Sequence, residues 1–328
     1  FLGALLNNDV TVRAAMKPFK VNGESFDAGS LIVTQRNNES IPDFDQFIQS
    51  LAREHNCKWF AATTGFVDSG KDFGSGYVNY IKAPKIAALV GDQTSSLSAG
   101  ATWHFFEQEL QYPITQIGTD YFRSVDLGNY DVLLVPEGRY RMFDEETMKS
   151  VQEWVSNGGR LILVSGALNA FADKNGFALK KFATEEAKKE AEKKDKEDQA
   201  KDVLLPYDAA ERNAISQTIS GAIYKVTLDK THPLAFGLGD AYYTLKTNEL
   251  YFSYLQQGWN VGVIKGKAKP VQGFAGYKIN KKLDNSFVFG VEEKGRGTIV
   301  YFVDDPLFRN FWESGKMLFS NAVFMVGQ

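Results

Sequence analysis

Arg160-Leu161-Ile162-Leu163-Val164-Ser165-Gly166-Ala167 is the stretch that decides the fold of this chain. Its apolar core has the length of a buried β-strand, and a polar turn follows it directly. Similar strand candidates recur along the chain and are separated by segments with helical spacing. The strands are predicted at Lys85 to Val90, Ile114 to Ile117, Tyr130 to Val135 and Gly297 to Val303, and the helices at Ser98 to Leu110, Asp144 to Val155 and Phe308 to Phe324. This alternation predicts an α/β fold with a parallel sheet covered on both faces.

The first 82 residues follow a different pattern, so we expect two domains. Strand candidates at Val10 to Met16 and Ser30 to Thr34, with Asn22-Gly23 between them, predict a hairpin. Helical spacing predicts a helix at Asp43 to Glu54, and Trp59 to Thr63 has the composition of a strand. Residues 1–82 are therefore predicted to be a small mixed α/β linking domain, and residues 83–328 the larger α/β domain.

Two inserts are expected in the larger domain. Residues 185–202 contain 14 charged residues among 18, with Glu and Lys at i,i+4 spacing, which is typical of a solvated helix. Eight acids against six lysines argue against a nucleic-acid or membrane contact there, and we expect a surface helix or a disordered loop. Residues from about 219 to 290 form a strand-rich insert with many aromatic residues and glycines.

Composition excludes several classes of protein. The 328 residues include 37 Lys and Arg against 40 Asp and Glu, and a net charge of -3 gives no electrostatic reason to bind nucleic acid. No apolar run is long enough for a transmembrane segment. Cys57 is the only cysteine, which excludes an intrachain disulfide and a multi-cysteine zinc site. The sequence opens with Phe1-Leu2-Gly3 and no Met, so we expect it to be a segment of a longer polypeptide.

Polar residues follow the predicted parallel strands at their carboxyl ends, which is where open α/β sheets bind ligands. The alternative is ordinary loop polarity, with Ser95 or Ser96 capping a helix. The candidates for a ligand-binding rim are Asp92, Gln93, Ser95, Glu137, Ser165, Asn169, Asp304 and Asp305.

Ser165 is the candidate nucleophile, because a nucleophile elbow would follow a buried strand at this point. The pattern is incomplete, since Leu163 and Ala167 stand where G-x-S-x-G requires glycine. A serine also needs a base, and neither His104 nor His232 follows Ser165 in an elbow-like context. A catalytic Ser165 is therefore the less favoured interpretation.

A zinc site is the second candidate. His104 and Glu107 form an H-x-x-E motif, and His232 lies 128 positions beyond His104, a pattern similar to the two-His, one-Glu site of carboxypeptidase A-like enzymes. Helical geometry places Trp103 on the buried face and His104 in solvent, while His232 precedes a proline in a loop. The prediction is a surface histidine and a loop histidine, and no metal bound by this chain.

Aromatic residues cluster in the strand-rich insert. They could form a platform for a sugar or a peptide, or they could be strand core, which is the commoner case. They are Tyr242, Tyr243, Tyr251, Phe252, Tyr254 and Trp259.

Three stretches resemble a class I glutamine amidotransferase-like domain, which implies a flavodoxin-like parallel sheet. They are Tyr130 to Pro136, Trp154 to Gly159 with the following strand, and Gly297 to Trp312. Such enzymes use a Cys at the elbow and a His-x-Glu pair after a late strand. This sequence has Ser165 at the elbow and Asp304-Asp305-Pro306 after the late strand, so glutamine hydrolysis is not expected.

Over nearly its whole length the chain also resembles the region behind the catalytic domain in a group of bacterial zinc carboxypeptidases, known mainly from Bacteroidetes. The stretches that carry this resemblance are Ala15 to Phe19, Ala61 to Phe73, Gly91 to Thr115, Thr231 to Gly237 and Pro306 to Trp312. The resemblance implies an exported protein, periplasmic or extracellular. It also implies zinc, a general-base Glu and a substrate-carboxylate Arg in a domain upstream of Phe1, none of which maps onto this chain.

The expected role is therefore a non-catalytic accessory region of an exported zinc metallocarboxypeptidase. Its partner would be the upstream catalytic domain of the same polypeptide, with a peptide substrate as a further possible ligand. The alternative is a rim hydrolase, or a domain that binds a small molecule or sugar through Ser165, Asp92, Glu137 and Asp304.

Overall fold

A computed structural model describes residues 1–328. The strands are β1 (Val12–Ala15), β2 (Phe19–Val21), β3 (Glu24–Phe26), β4 (Leu31–Val33), β5 (Val78–Ile81), β6 (Ile86–Val90), β7 (Ile114–Gly118), β8 (Val132–Val135), β9 (Arg160–Val164), β10 (Ile219–Leu228), β11 (Tyr242–Lys246), β12 (Trp259–Ile264), β13 (Pro270–Ala275), β14 (Ser286–Lys294) and β15 (Gly297–Phe302). The α-helices are α1 (Leu2–Asn7), α2 (Phe44–Glu54), α3 (Ser96–His104), α4 (Glu145–Ser156), α5 (Leu168–Phe171), α6 (Glu185–Asp202), α7 (Tyr207–Ser216), α8 (Tyr277–Lys282) and α9 (Glu313–Phe324).

A parallel sheet lies at the centre of the molecule. Strands β7, β6, β8, β9 and β15 are neighbours in that order and all pair in parallel. Numbered along the chain, the order is the 2-1-3-4-5 of flavodoxin-like folds. The α/β, flavodoxin-like prediction is therefore confirmed.

The strand-rich insert extends this sheet. β14 pairs antiparallel with β15, β12 with β14, and β10 with β12, while β11 and β13 both pair with β10. The result is one mixed sheet of ten strands. Because of this pairing, residues of the insert can reach the carboxyl ends of the parallel strands.

Side-chain alternation divides the core into two halves. In β9, Leu161 and Leu163 pack on the face covered by α4, whereas Ile162 and Val164 pack on the face covered by α9. All four residues are buried, as a parallel strand between two helical layers requires.

The amino-terminal part differs from the prediction in its hairpin and in one further strand. The predicted strands β1 and β4 do pair antiparallel, but the turn at Asn22-Gly23 joins two other strands. β2 and β3 form a hairpin at Asn22-Gly23, where both residues have positive φ (50° and 83°), the geometry of a tight primed turn. β1 also pairs antiparallel with β5, which gives a three-stranded sheet in the order β4, β1, β5. The predicted strand at Trp59 to Thr63 is wrong. Trp59 and Phe60 are exposed, so apolar composition there does not mark a strand.

The boundary at residue 82 stays a prediction. Val12 and Ala14 of β1 are buried in the same apolar cluster as Val132 and Ile162 of the parallel sheet. The amino-terminal part and the large sheet therefore share a core.

The charged insert is a helix, α6. The Oγ1 of Thr184 caps it by accepting a hydrogen bond from the backbone N–H of Ala187 at 3.1 Å. None of its residues is buried.

The helix predicted at Ser98 to Leu110 is divided. α3 ends at His104, and a π-helical turn follows from Phe105 to Leu110. The buried face carries Ser98, Ala101, Thr102 and Phe105, at i,i+3,i+4,i+7 spacing. The predicted buried position of Trp103 is wrong, because this side chain is 41% exposed on the opposite side.

A substitution at Gly297 tests how closely β15 packs against α4. A Cβ at this position would lie 2.0 Å from the carbonyl oxygen of Val155 and 2.2 Å from that of Gly159. Because both atoms belong to the backbone, Gly297→Ala should lower the free energy of unfolding by roughly 2 kcal/mol or more, measured by urea denaturation. Gly239→Ala is the control, since no atom lies within 4 Å of its Cβ position. Equal stability of the two variants would contradict this account of the packing.

Candidate functional site

The carboxyl ends of β6, β8, β9 and β15 bring several predicted rim residues together. Ser98 at the start of α3 links two of these ends, because its Oγ donates to the Oδ2 of Asp305 (3.0 Å) and accepts from the backbone N–H of Glu137 (3.1 Å). Gly166, after β9, lies against Glu137 and Gly138. Its Cβ position is 3.4 Å from the Cγ of Glu137 and 3.1 Å from the carbonyl oxygen of Gly138.

Ser165 occupies an elbow although the flanking glycines are absent. Its φ is +52°, a left-handed conformation that is uncommon for a serine and typical of strained functional turns. The side chain is nevertheless closed in, since Ser165 is only 2% exposed. Its Oγ accepts a hydrogen bond from the Nδ2 of Asn248 at 3.2 Å.

Asp304 is held by a buried ion pair that no local sequence pattern predicted. The Nζ of Lys246 lies 3.0 Å from its Oδ1, and the two side chains are 3% and 6% exposed. The Oγ1 of Thr244 donates to its Oδ2 at 2.8 Å. The Nζ of Lys246 also donates to the Oδ1 of Asn248 at 3.3 Å. A continuous polar network, named here the elbow network, therefore joins Ser165, Asn248, Lys246, Asp304 and Thr244.

Strand β11 and the loop after it supply three members of this network. A weak signal for them exists in the sequence, because Thr244 and Lys246 share one face of a strand with Tyr242. All three are buried, so this face of β11 carries polar residues into the core. Polar residues on a buried strand face need partners, which here come from the rim.

The elbow network binds Ser165 without activating it. Asn248 donates to the Ser165 Oγ, and an amide has no basic group to take the hydroxyl proton. The Lys246 ammonium donates to Asp304 and Asn248. The hydrogen bond from Asn248 therefore fixes the elbow, and the network group that contacts the serine hydroxyl is an amide.

Asp305 and Glu137 form the second part of the rim. Burial raises the pKa of Asp305 from 3.8 to about 6, against the hydrogen bonds from the Leu307 N–H and the Ser98 hydroxyl, and the nearby charges of Glu137 and Asp304 raise it further. Burial also raises the pKa of Glu137. Near pH 6, protonated and ionised Asp305 are therefore both populated.

The remaining rim candidates form hydrogen bonds within the loops or lie exposed on the surface. The Oε1 of Gln93 accepts hydrogen bonds from the backbone N–H groups of Arg141 and Met142, and the backbone N–H of Ser95 donates to the carbonyl oxygen of Glu137. Ser95 precedes α3 but makes no side-chain cap, so the capping interpretation is wrong for it. The exposed Asn169 donates to the carbonyl oxygen of Gly166, and Asp92 is exposed.

The zinc candidates lie in different surroundings. His104 is at the end of α3, where its Nδ1 contacts the Nδ2 of Asn310 and lies 3.5 Å from the Oε1 of Glu109. His232 accepts a hydrogen bond from the Leu234 N–H, and burial lowers its pKa. Glu107 is exposed on the π-helical turn. No group of three or more His, Cys, Asp or Glu side chains is arranged to hold a metal ion.

The aromatic residues of the insert do not form one platform. Tyr242 and Phe252 are buried, and Tyr242 packs edge-on against Phe289. Trp259 is exposed beside His232, whereas Tyr251 is half-buried beside Phe182. The cluster divides into core packing and two separate surfaces.

Comparison with known proteins finds similarity in structure but not in sequence. The sequence matches no protein-family profile and no curated protein. Among solved structures, a ThuA-like protein from Parabacteroides merdae has 12% identity and a TM-score of 0.44, covering 73% of this chain and 89% of its own. A GMP synthase component from Thermoplasma acidophilum has 11% identity and a TM-score of 0.43, covering 73% and 92%.

A glutamine amidotransferase from Thermotoga maritima has 9% identity and a TM-score of 0.40, covering 73% of this chain and 96% of its own. Sequence identities this low do not show a shared function. The fold class is established by the strand order of the chain itself. No helix combines the length and apolar character needed to cross a membrane.

Lys246→Met tests the elbow network. The change leaves the Asp304 carboxylate buried without its cation, so the free energy of unfolding should fall by about 3–5 kcal/mol in urea denaturation. Lys149→Met is the matched control, because Lys149 pairs with Glu153 at 4.0 Å on the exposed face of α4. A Lys246 variant as stable as the Lys149 variant would show that the ion pair does not hold this edge of the sheet.

Asp305→Asn tests the buried carboxyl through pH. Its raised pKa means that, between about pH 4 and pH 6, the folded chain binds a proton that the unfolded chain has lost. The stability of the wild type relative to Asp305→Asn should therefore fall as pH rises through this window, by up to about 1.4 kcal/mol per pH unit. The difference should then stay constant above the folded-state pKa, which provides the internal control. A difference that does not change across the window would contradict the buried position of this carboxyl.

Proposed function

We propose that this chain is a non-catalytic accessory region of an exported zinc metallocarboxypeptidase, and that it supports the catalytic domain of the same polypeptide. The observation that carries the non-catalytic part is the elbow network. The two positions where a class I glutamine amidotransferase has its cysteine and histidine hold Ser165 and Asp304 here, and both are buried in one set of hydrogen bonds.

The energetics of the elbow network favour a structural role. Bringing Lys246 and Asp304 out of water costs several kcal/mol per ion, and the cost is offset only if both charges are well paired. Thr244 and Asn248 supply additional hydrogen bonds, and the Oδ1 of Asn248 also accepts from the backbone N–H of Leu250. A reactive site instead keeps a nucleophile and a base free to meet a substrate.

The peptidase part of the proposal rests on the sequence resemblance described above. The stretch Pro306 to Trp312 belongs to it and packs along α3, with the Nε1 of Trp312 donating to the carbonyl oxygen of Tyr243. Zinc would be bound by the catalytic domain, because His104 and His232 have different neighbours in this chain. Export and the peptide substrate belong to the same proposal.

A second function has its own supporting observation. The positive φ of Ser165 and the Glu137 carboxyl beside Gly166 are features of a site that meets a ligand at the strand ends. A hydrolase or a domain that binds a hydroxyl-rich small molecule would use them. The two proposals differ in whether Ser165 reacts and in whether the peptidase depends on this region.

Removal of the region tests the accessory role. The complete polypeptide should be compared with a form that lacks residues 1–328 as a whole, because β1 shares its core with the large sheet. We expect the truncated form to have a lower melting temperature or a lower kcat/KM on peptide substrates. The matched control is Ser165→Ala in the complete polypeptide, which should leave kcat/KM on the same peptides unchanged.

Two results would contradict the proposal. One is a truncated polypeptide with unchanged melting temperature and unchanged kinetic constants, which would remove the supporting role. The other is a loss of peptidase activity in Ser165→Ala at an unchanged melting temperature, which would place this serine in the chemistry.

A further inference from the structure

Helix α6 stands away from the body of the protein and is attached by charge. The Asp195 Oδ1 lies 3.2 Å from the Nζ of Lys282, and the Asp202 Oδ1 lies 3.7 Å from the Nζ of Lys278. Both lysines belong to α8, one helical turn apart. Since α6 buries no residue, these ion pairs, with a long hydrogen bond from Gln217 to Asp202, hold it in place.

A cavity of about 800 Å³ lies between α6 and the body. This volume is within the range of small-molecule sites, roughly 300–1,000 Å³. α6 therefore covers the cavity without filling it.

Tyr251 and Phe182 provide an aromatic wall. Their rings meet edge-on with centroids 6.4 Å apart, and Tyr251 is half-buried. Two cations lie over the Tyr251 ring, with the Nζ of Lys181 5.1 Å and that of Lys282 5.8 Å from the ring centroid. A flat ligand beside this aromatic wall would therefore meet both ammonium groups.

The free charge in the cavity is positive. Three of its four aspartates lie beside a lysine, since Asp195 and Asp202 pair with α8 and Asp198 lies 3.8 Å from Lys201, whereas Asp284 accepts a hydrogen bond from the neutral Ala268 N–H. Five lysines line the cavity against these four aspartates, so its charge is positive on balance. Three lining lysines have no ion-pair partner. They are Lys181, Lys194 and Lys281.

We propose that this cavity binds a small organic anion with a flat aromatic body, and that α6 is its displaceable cover. The anionic group would contact Lys181 and Lys282, and the ring would pack against Tyr251. Asp195 competes with the anion for Lys282 and so lowers its affinity. The site is separate from the elbow network, and its test is independent of the accessory function.

Naphthalenesulfonate is the probe, and the neutral naphthalenemethanol is its matched control. Binding to the 328-residue chain should be measured by calorimetry at low ionic strength, about 50 mM NaCl, where ion pairs are least screened. We expect the sulfonate to bind at least about tenfold more tightly than the alcohol, the factor that one charge-assisted contact supplies. No sulfonate binding at about 1 mM, or equal binding of both compounds, would overturn the proposal.

Three pairs of substitutions locate the site. Lys181→Gln with Lys282→Gln should weaken sulfonate binding by about tenfold or more, because both flanking charges are lost. Asp195→Asn with Asp202→Asn should tighten it several-fold, because the competing carboxylates are lost. Lys265→Gln with Lys267→Gln, two exposed lysines outside the cavity, should leave it unchanged. Unchanged affinity in the first pair, or no gain in the second, would overturn the proposal, and thermal melts confirm that each variant is folded.

Discussion

The buried charge of Asp304 is the constraint on which the rim of this protein depends. A carboxylate buried at the end of a central strand is costly unless a cation pairs with it, and Lys246 supplies that cation for Asp304 from β11. β11 belongs to the insert, so this ion pair joins the insert to the parallel sheet across its carboxyl edge. Asn248 follows two residues later and reaches Ser165. The same network therefore links the insert, which strand pairing places beside the sheet, to the closed elbow.

The parallel sheet could be predicted from the sequence, because buried parallel strands are short apolar runs and Lys85 to Val90, Tyr130 to Val135 and Arg160 to Val164 are such runs. The same argument from composition wrongly predicted a strand at Trp59 to Thr63, since the aromatic residues there lie on the surface. The prediction that Trp103 is buried was wrong for a related reason. Which helix face is buried depends on what packs against it, and for α3 that is decided by tertiary contacts.

The site was predictable only in part. Strand order brings Glu137, Ser165, Asp304 and Asp305 to one edge, and that follows from the rule for open α/β sheets. Lys246 and Asn248 lie about 80 residues beyond Ser165 in sequence, and no local pattern connects them to it. The role of Ser98 could not be predicted either. A serine in the first turn of a helix is most often a capping residue, whereas Ser98 bridges two strand ends. Long-range partners of this kind come from topology, which the local sequence does not encode.

The central claim is that the elbow of this fold is closed, with Ser165 buried and its Oγ bound by Asn248. The most direct measurement is exposure of the folded chain to a fluorophosphonate, a reagent that labels activated serines, followed by peptide mass spectrometry. The account predicts that Ser165 remains unmodified, because it is buried and its Oγ is bound by the amide of Asn248. Stoichiometric labelling of Ser165 in the folded chain, absent after denaturation, would contradict it and would identify an active hydrolase.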